Sequence, residues 1–524
     1  MMFLSSSSFF LSAYLTKKII AHEFSAKQFA YALKSNNLAA LTLAERSAEV
    51  GGEDWLFFNR KLAKTQKKAA LTLANWYIKR VNETDMLDAD LAIMWFKQAI
   101  RLGSTSAVIA LSQLYFEQGK VDKAEITLNL LANHSNLNKL NTHIVEKALL
   151  LRLKMAIYVG DTTQVKRLLT HEFPSKTNNI KLKELLIDIE KYGIVNVDVT
   201  KKKRKSNEHL NSLLLQPASC ESSLQLFATN LKHLHHLENL IKDFKKNQPL
   251  SAYICINPPS YISKQLLDCA AKPERAISCD EALWQNIAKQ VEAKHIGLLL
   301  ESGGANVHLG IVYLDAKDNV DVFNHELSHL LGFIDEYPLT ANHQICESVQ
   351  NNNFAHNIAV LNSFYQGSRQ KVREQVLKNI PWASHIDEDT PILQRISGDE
   401  NDVNRWRLGT PLSHQDKFGI YLAETCQNSR QSEIARINTD SAFSAYKPVS
   451  ITTQLRYFNE DFPQQYLTLL ATNDKQYLMP SFHYNIALAL YQKGQISEAK
   501  YWLEKSSQWE TDPLKKKIIL NGAF

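Results

Sequence analysis

The sequence predicts a multidomain chain in which an α-helical region is followed by an α+β domain and then by a short second helical region. Three observations carry this. At 524 residues the chain exceeds what one hydrophobic core serves, so roughly two to four domains are expected. Helical periodicity with few Pro and Gly runs from about Phe24 to Ile194 and returns after Pro463. Between these stretches, apolar runs of strand length alternate with helical ones. They enclose one dense cluster of metal-ligating residue types, His325-Glu326-Leu327-Ser328-His329-Leu330-Leu331-Gly332-Phe333-Ile334-Asp335-Glu336-Tyr337. The boundaries that follow are 24–195 for the helical region, 196–215 for a linker, 216–462 for the α+β domain and 463–524 for the last helices.

Composition bounds the function classes. The 44% hydrophobic and 22% charged fractions are those of an ordinary globular protein. A net charge of +6 is mild for this length and gives no reason to expect a nucleic-acid partner. The dense basic run Lys201-Lys202-Lys203-Arg204-Lys205 reads as part of the solvated linker. No stretch approaches the ~18 consecutive apolar residues of a transmembrane helix, so no integral membrane span is expected. Residues 2–15 are apolar or Ser and are followed by Lys17 and Lys18, a pattern that resembles a signal-peptide h-region. That makes 1–23 a candidate signal segment, although it lacks basic residues ahead of the apolar run and an A-x-A cleavage site. Cys220, Cys255, Cys269, Cys279, Cys346 and Cys426 all lie after residue 219, and none is in a C-x-x-C pair. An even number confined to one region suits disulfides in a periplasmic or secreted domain. Buried thiols in a cytoplasmic protein are the alternative.

In the helical region Ala69, Leu73 and Tyr77 recur as Ala107, Leu111 and Tyr115, an offset of 38 residues from 69 to 107. Between them lie Ala92, Trp95, Phe96, Ala99, Leu102 and Gly103, and after them Gly119 and Ala124. Small residues let paired helices approach, while the aromatic ones fill the space between successive pairs. The pattern resembles Sel1-like repeats, a branch of the tetratricopeptide superfamily. That resemblance implies a solenoid whose concave surface takes protein partners. Near the C-terminus, His483, Tyr484, Ala487, Tyr491, Gly494 and Ala499 resemble a tetratricopeptide unit.

The α+β domain opens with an amphipathic helix expected over 224–245, then a short strand over 252–257 stopped by Pro258-Pro259. A helix is expected over 279–292, a buried strand over 295–300 and another over 307–314. A turn at 315–319 leads into the motif helix. Residues 305–313 are expected to form an edge beside the site, where an extended substrate can add as a strand. His308 on that edge could be a ligand, but a lone histidine on a strand is more often structural.

On a helix, residues i and i+4 share a face, so His325 and His329 can hold one metal ion between them. Glu326 is one residue off that axis, where a carboxylate can take a proton from water. Gly332 can end the helix in a left-handed turn and send Asp335 back toward the metal. Chance places H-E-x-x-H in roughly three of a hundred such chains, and the later Gly and acid lower that roughly several hundredfold. A glutamate could complete the site instead, with Glu336, Glu347 and Glu424 as candidates.

Residues 325–337 resemble the metzincin-type zinc metallopeptidases in their Asp-ligand version, and the Asp335-Glu336-Tyr337 ending resembles IgA-peptidase-like metallopeptidases. The resemblance implies a zincin-like fold and Zn2+ held by His325, His329 and Asp335, with Glu326 as general base and a protein or peptide as substrate. There is a departure. The family places a methionine turn beneath the metal, whereas here Met479 is the only methionine after residue 155. The segment 445–457 is the nearest equivalent, with Gln454 or Leu455 in the place of Met. The irregular stretch 346–426 can form the lower lip of a cleft. A Cys346–Cys426 bridge would tie the strand expected over 418–426 to the loop after the motif. The function expected is a zinc-dependent endopeptidase whose repeats recruit protein partners. The other expectation is a repeat-containing scaffold with a structural or vestigial zinc site.

Overall fold

A computed structural model describes residues 7–81, 86–131, 142–173, 177–195, 220–272, 275–340, 342–396, 404–428, 442–472 and 475–523. The expected linker 196–215, with its basic run, lies outside the described residues. The chain divides into two compact units, residues 1–156 with 163–187, and residues 157–162 with 188–524.

Among the described residues, regular structure in the first unit is entirely helical. Helices Lys67–Val81 and Met86–Arg101 pack as a pair, and Thr105–Glu117 and Val121–Asn129 form the next. The recurring residues Ala69, Leu73, Tyr77, Ala107, Leu111 and Tyr115 are all buried in one core with Phe96, Ala92, Ala99 and Ala124. The residues that recur in the sequence are therefore core positions. Helix Ser7–Ile20 buries Leu15 and Ile19 with Ala32 and Ala40, and its Thr16 hydroxyl accepts from the Asn37 amide at 2.9 Å. No helix among the described residues is long and apolar enough to cross a membrane.

The second unit is built on a six-stranded sheet of β1 (Ser222–Ala228), β2 (Ile254–Ile256), β3 (Ser260–Tyr261), β4 (His295–Leu300), β5 (Asn306–His308) and β6 (Ile311–Asp315). The order runs β2-β1-β4-β6-β5, with β3 also pairing β1. All pairings are parallel except that of β5 with β6, so an antiparallel strand forms one edge.

Two expectations change here. The helix expected over 224–245 is β1 followed by helix Leu231–Asn247. The break falls at Asn230, whose side chain accepts from the His233 amide and caps the helix. The single strand expected over 307–314 is a hairpin, because Leu309 and Gly310 both take positive φ, 43° and 87°. A Cβ at Gly310 would also sit 2.6 Å from the Pro480 carbonyl oxygen. Two further elements are shorter than expected. The 279–292 helix reduces to the 3-10 turn Glu281–Trp284 and helix Gln285–Ala288, and the 418–426 strand to Tyr421–Leu422.

Trp284, Ile296, Leu298, Ile311 and Tyr313 share a core with Phe482, Ile486, Leu490 and Trp502 of helices Phe482–Gln492 and Ile496–Ser507. Burying each such side chain stabilises by about 1.5–3 kcal/mol. The last helices, expected to cap or pack on the α+β domain, share the core of its sheet. Helix Leu231–Asn247 and the motif helix Val320–Leu330 contact each other and the sheet, with Phe244 and Phe323 edge to face at 5.5 Å. A smaller antiparallel sheet joins Tyr421–Leu422, Phe443–Lys447 and Ala359–Asn362.

The six cysteines pair as Cys220–Cys255, Cys269–Cys279 and Cys346–Cys426. The last closes a separation of 80 residues and sits in a core with Ile358, Val360 and Phe443. Loop-closure entropy for that length is about 4–5 kcal/mol. The pair Cys346→Ser, Cys426→Ser is expected to lower the unfolding free energy of this unit by that amount, read by denaturant titration. A loss under about 1 kcal/mol would refute the entropic assignment.

Candidate metal centre

The motif helix begins at Asn319, whose side chain accepts from the amides of Asp321 and Val322. Phe323, Leu327 and Leu330 are fully buried along its apolar stripe. His325 and His329 stand one turn apart, with rings 4.8 Å between centroids and nearly perpendicular. The helix stops at Leu330, and Gly332 takes φ +88°. The Gly332 amide donates to the His329 carbonyl and the Phe333 amide to the Ser328 carbonyl. This paired closure is a Schellman motif, and it turns the chain back so that Asp335 meets the two histidines.

The tautomers follow from the backbone. His325 Nδ1 lies 2.9 Å from the Gln454 carbonyl and His329 Nδ1 lies 3.0 Å from the Phe333 carbonyl. A carbonyl only accepts, so each Nδ1 carries the proton and each Nε2 is left as a ligand atom. The two Nε2 atoms are 3.2 Å apart, and Asp335 Oδ1 lies 3.1 Å from that of His325 and 3.3 Å from that of His329. Ligands about 2.0–2.1 Å from a tetrahedral zinc are separated by roughly 3.3 Å. The triangle therefore fits one such ion. Asp335 Oδ1 is buried and faces the two imidazole nitrogens. His325, His329 and Asp335 are also the one group of at least three such residues, among the described residues, that could hold a metal ion.

The alternative ligands lie elsewhere. Glu336 points away into a buried contact with Lys447 Nζ at 2.6 Å. Glu424 is exposed and paired with Arg456, and Glu347 is exposed. His308 is exposed on β5 and is not in the cluster.

Glu326 is 4% exposed, and burial pushes its carboxyl up to about 7 against the pull of the two histidines. Burial penalises charge on His329, but the carboxylates of Asp335 and Glu326 outweigh it and raise the ring to about 9. Burial would likewise raise Asp335, but the histidines win and hold it well below the usual carboxylate range. Burial and the adjacent Asp335 keep Tyr337 a neutral phenol, hydrogen-bonded to Asp335. Its ring is stacked at 14° to His325.

In protein stripped by a chelator, His329 is therefore protonated at pH 7.5, because its value is raised to about 9. A metal ion binding through Nε2 must displace that proton. Calorimetry in buffers of different protonation enthalpy is expected to show release of about one proton at pH 7.5, fading as pH rises through about 9. No proton release would show that His329 is not charged in the stripped protein.

Residues that sequence reasoning did not single out complete the surroundings. Phe458 stands edge-on to His325 at 4.7 Å between centroids. The Asn357 amide bonds both main-chain groups of Ile334, and the Thr425 hydroxyl donates to the Asp335 carbonyl at 2.9 Å. They lie well beyond the motif in the chain, and no spacing rule points to them. Comparison with models of known protein families, with curated proteins and with solved structures returned no match.

Proposed function

We propose that this protein is a zinc-dependent endopeptidase of metzincin-like type, with a Sel1-like helical region that recruits protein partners. One observation carries the reading. Two imidazole nitrogens and a carboxylate oxygen converge at tetrahedral spacing, and a second buried carboxylate, Glu326, adjoins them on the same helix. A purely structural site has no use for that second carboxylate.

When bound, zinc would polarise a scissile carbonyl and lower the pKa of water. Glu326 takes a proton from the attacking water and delivers it to the departing amine. The Gln454 and Phe333 carbonyls hold the two rings in the tautomer that offers Nε2. The antiparallel edge strand β5 contacts the motif helix, which supports main-chain pairing with an extended peptide. The turn at 454–456 supports the metzincin likeness. Its Gln454 carbonyl meets His325, and Leu455 is fully buried where the family has methionine. Three disulfides support export to a periplasmic or extracellular setting. In the helical unit, a groove of ≈ 1120 Å³ lined by Phe116, Lys147, Leu150 and Lys154, among others, supports a partner surface.

The test is zinc quantification beside a general peptidase assay, with Glu326→Gln as control. Zinc at one per chain without Glu326-dependent cleavage would instead favour a repeat-containing scaffold with a structural or vestigial site. Absence of bound zinc would sink both readings.

A further inference from the structure

We propose that Glu336, held by Lys447, is a positioning residue for the metal site: their buried ion pair sets where Asp335 closes the triangle. This rests on the reading of His325, His329 and Asp335 as metal ligands.

Asp335 is the only ligand that is not on the motif helix, so its place depends on the loop 333–337. That loop is pinned at successive residues. The Ile334 amide donates to Asn357 Oδ1 at 3.0 Å, and Asn357 Nδ2 donates to the Ile334 carbonyl at 2.8 Å. The Asp335 carbonyl accepts from Thr425, and the Glu336 amide donates to the Leu455 carbonyl at 2.9 Å. The side chains of Asp335 and Glu336 then part, one to the histidines and the other to the interior. Glu336 is 1% exposed, and its carboxylate accepts from Lys447 at 2.6 Å, from Asn357 at 3.3 Å and from the Tyr466 hydroxyl.

A buried ion pair is weak evidence of stabilisation, because removing two charges from water costs about what their attraction returns. Its geometric effect is larger here. Lys447 ends the strand Phe443–Lys447 and also donates to the Ile451 carbonyl at 2.8 Å. That strand leads directly to Gln454, whose carbonyl orients His325. One ion pair thus fixes the loop of the third ligand to the segment that orients the first.

The experiment compares the wild type with a double variant, Glu336→Leu with Lys447→Met, which removes both charges and nearly keeps the volume. Zinc affinity is measured by competition with a chromophoric chelator, coordination by the visible spectrum of the cobalt(II) form, and folding by thermal melting. The double variant is expected to melt near the wild type yet bind zinc about 10–100-fold more weakly, with an altered cobalt spectrum. Wild-type affinity and an unchanged spectrum in the folded double variant would overturn the inference and leave the metal site standing. A wild type that takes up no metal would overturn both. Should the double variant not fold, Tyr466→Phe removes one hydroxyl from the same carboxylate. It is expected to weaken zinc severalfold, and unchanged affinity there overturns the inference equally.

Discussion

On the proposed zinc-peptidase reading, Glu326→Gln is expected to retain zinc at one per chain while peptide hydrolysis falls by about 10²–10⁴-fold, the usual contribution of a positioned general base. The substitution exchanges one carboxylate oxygen for an amide of the same shape. It leaves untouched the His325, His329 and Asp335 atoms that form the metal triangle. What it removes is the capacity to accept and return a proton. In the metal-free protein the carboxyl of Glu326 is buried, and burial raises its value to about 7. Stability gives a second readout with a definite sign. A glutamate whose folded value is raised favours the folded state fully below its unfolded value of 4.5, and that contribution is lost as pH rises through about 7. Glutamine carries no charge to bury, so the chelator-stripped variant should be relatively more stable than the stripped wild type above pH 7. Equal activity in wild type and variant would remove Glu326 from the mechanism. Equal stability at all pH values would show that its carboxyl is not desolvated as the structure has it.

How much of this was legible beforehand depends on how local the determinants are. His325, Glu326 and His329 were legible because helical geometry alone puts positions i and i+4 on one face. Asp335 was legible because Gly332 signals a reversal at a known distance. That spacing favours Asp335 over Glu347 and Glu424, and the structure places both glutamates at the exposed surface, outside the cluster. Strand β1 was hidden because its apolar residues run into those of the helix after Asn230, and only the cap at that position marks the break. The β5–β6 hairpin was hidden because Leu309 at φ 43° is a residue that seldom adopts it. In the sequence Gln454 stands out only as one residue in the place of the family's methionine. Its working group is the backbone carbonyl, which no residue type advertises. The buried pair of Glu336 with Lys447 spans 111 residues, so pattern reading within a window could not join them.

Gly332→Ala is expected to cost about 2–5 kcal/mol of stability and to abolish tight zinc binding. Two separate effects add. A residue with a Cβ held at φ +88° is strained by roughly 1–2 kcal/mol. The new Cβ would also lie 2.5 Å from the Tyr477 carbonyl oxygen and 2.7 Å from its carbonyl carbon. Backbone cannot rotate aside as a flexible side chain can, and overpacking of this kind costs about 1–3 kcal/mol. Gly494 separates the two effects within the same unit. Its φ is +75°, but nothing lies within 4 Å of its virtual Cβ. Gly494→Ala should therefore show the backbone strain alone and leave zinc affinity unchanged. At Gly332 the chain must shift, and the shift reaches two of the three ligands, His329 and Asp335. The Phe333 carbonyl that fixes the His329 tautomer follows it directly, and Asp335 lies three residues on. Denaturant titration and chelator competition on the two variants test this together. If Gly332→Ala costs no more than Gly494→Ala and binds zinc as tightly as the wild type, the close-packed turn is not what places the third ligand.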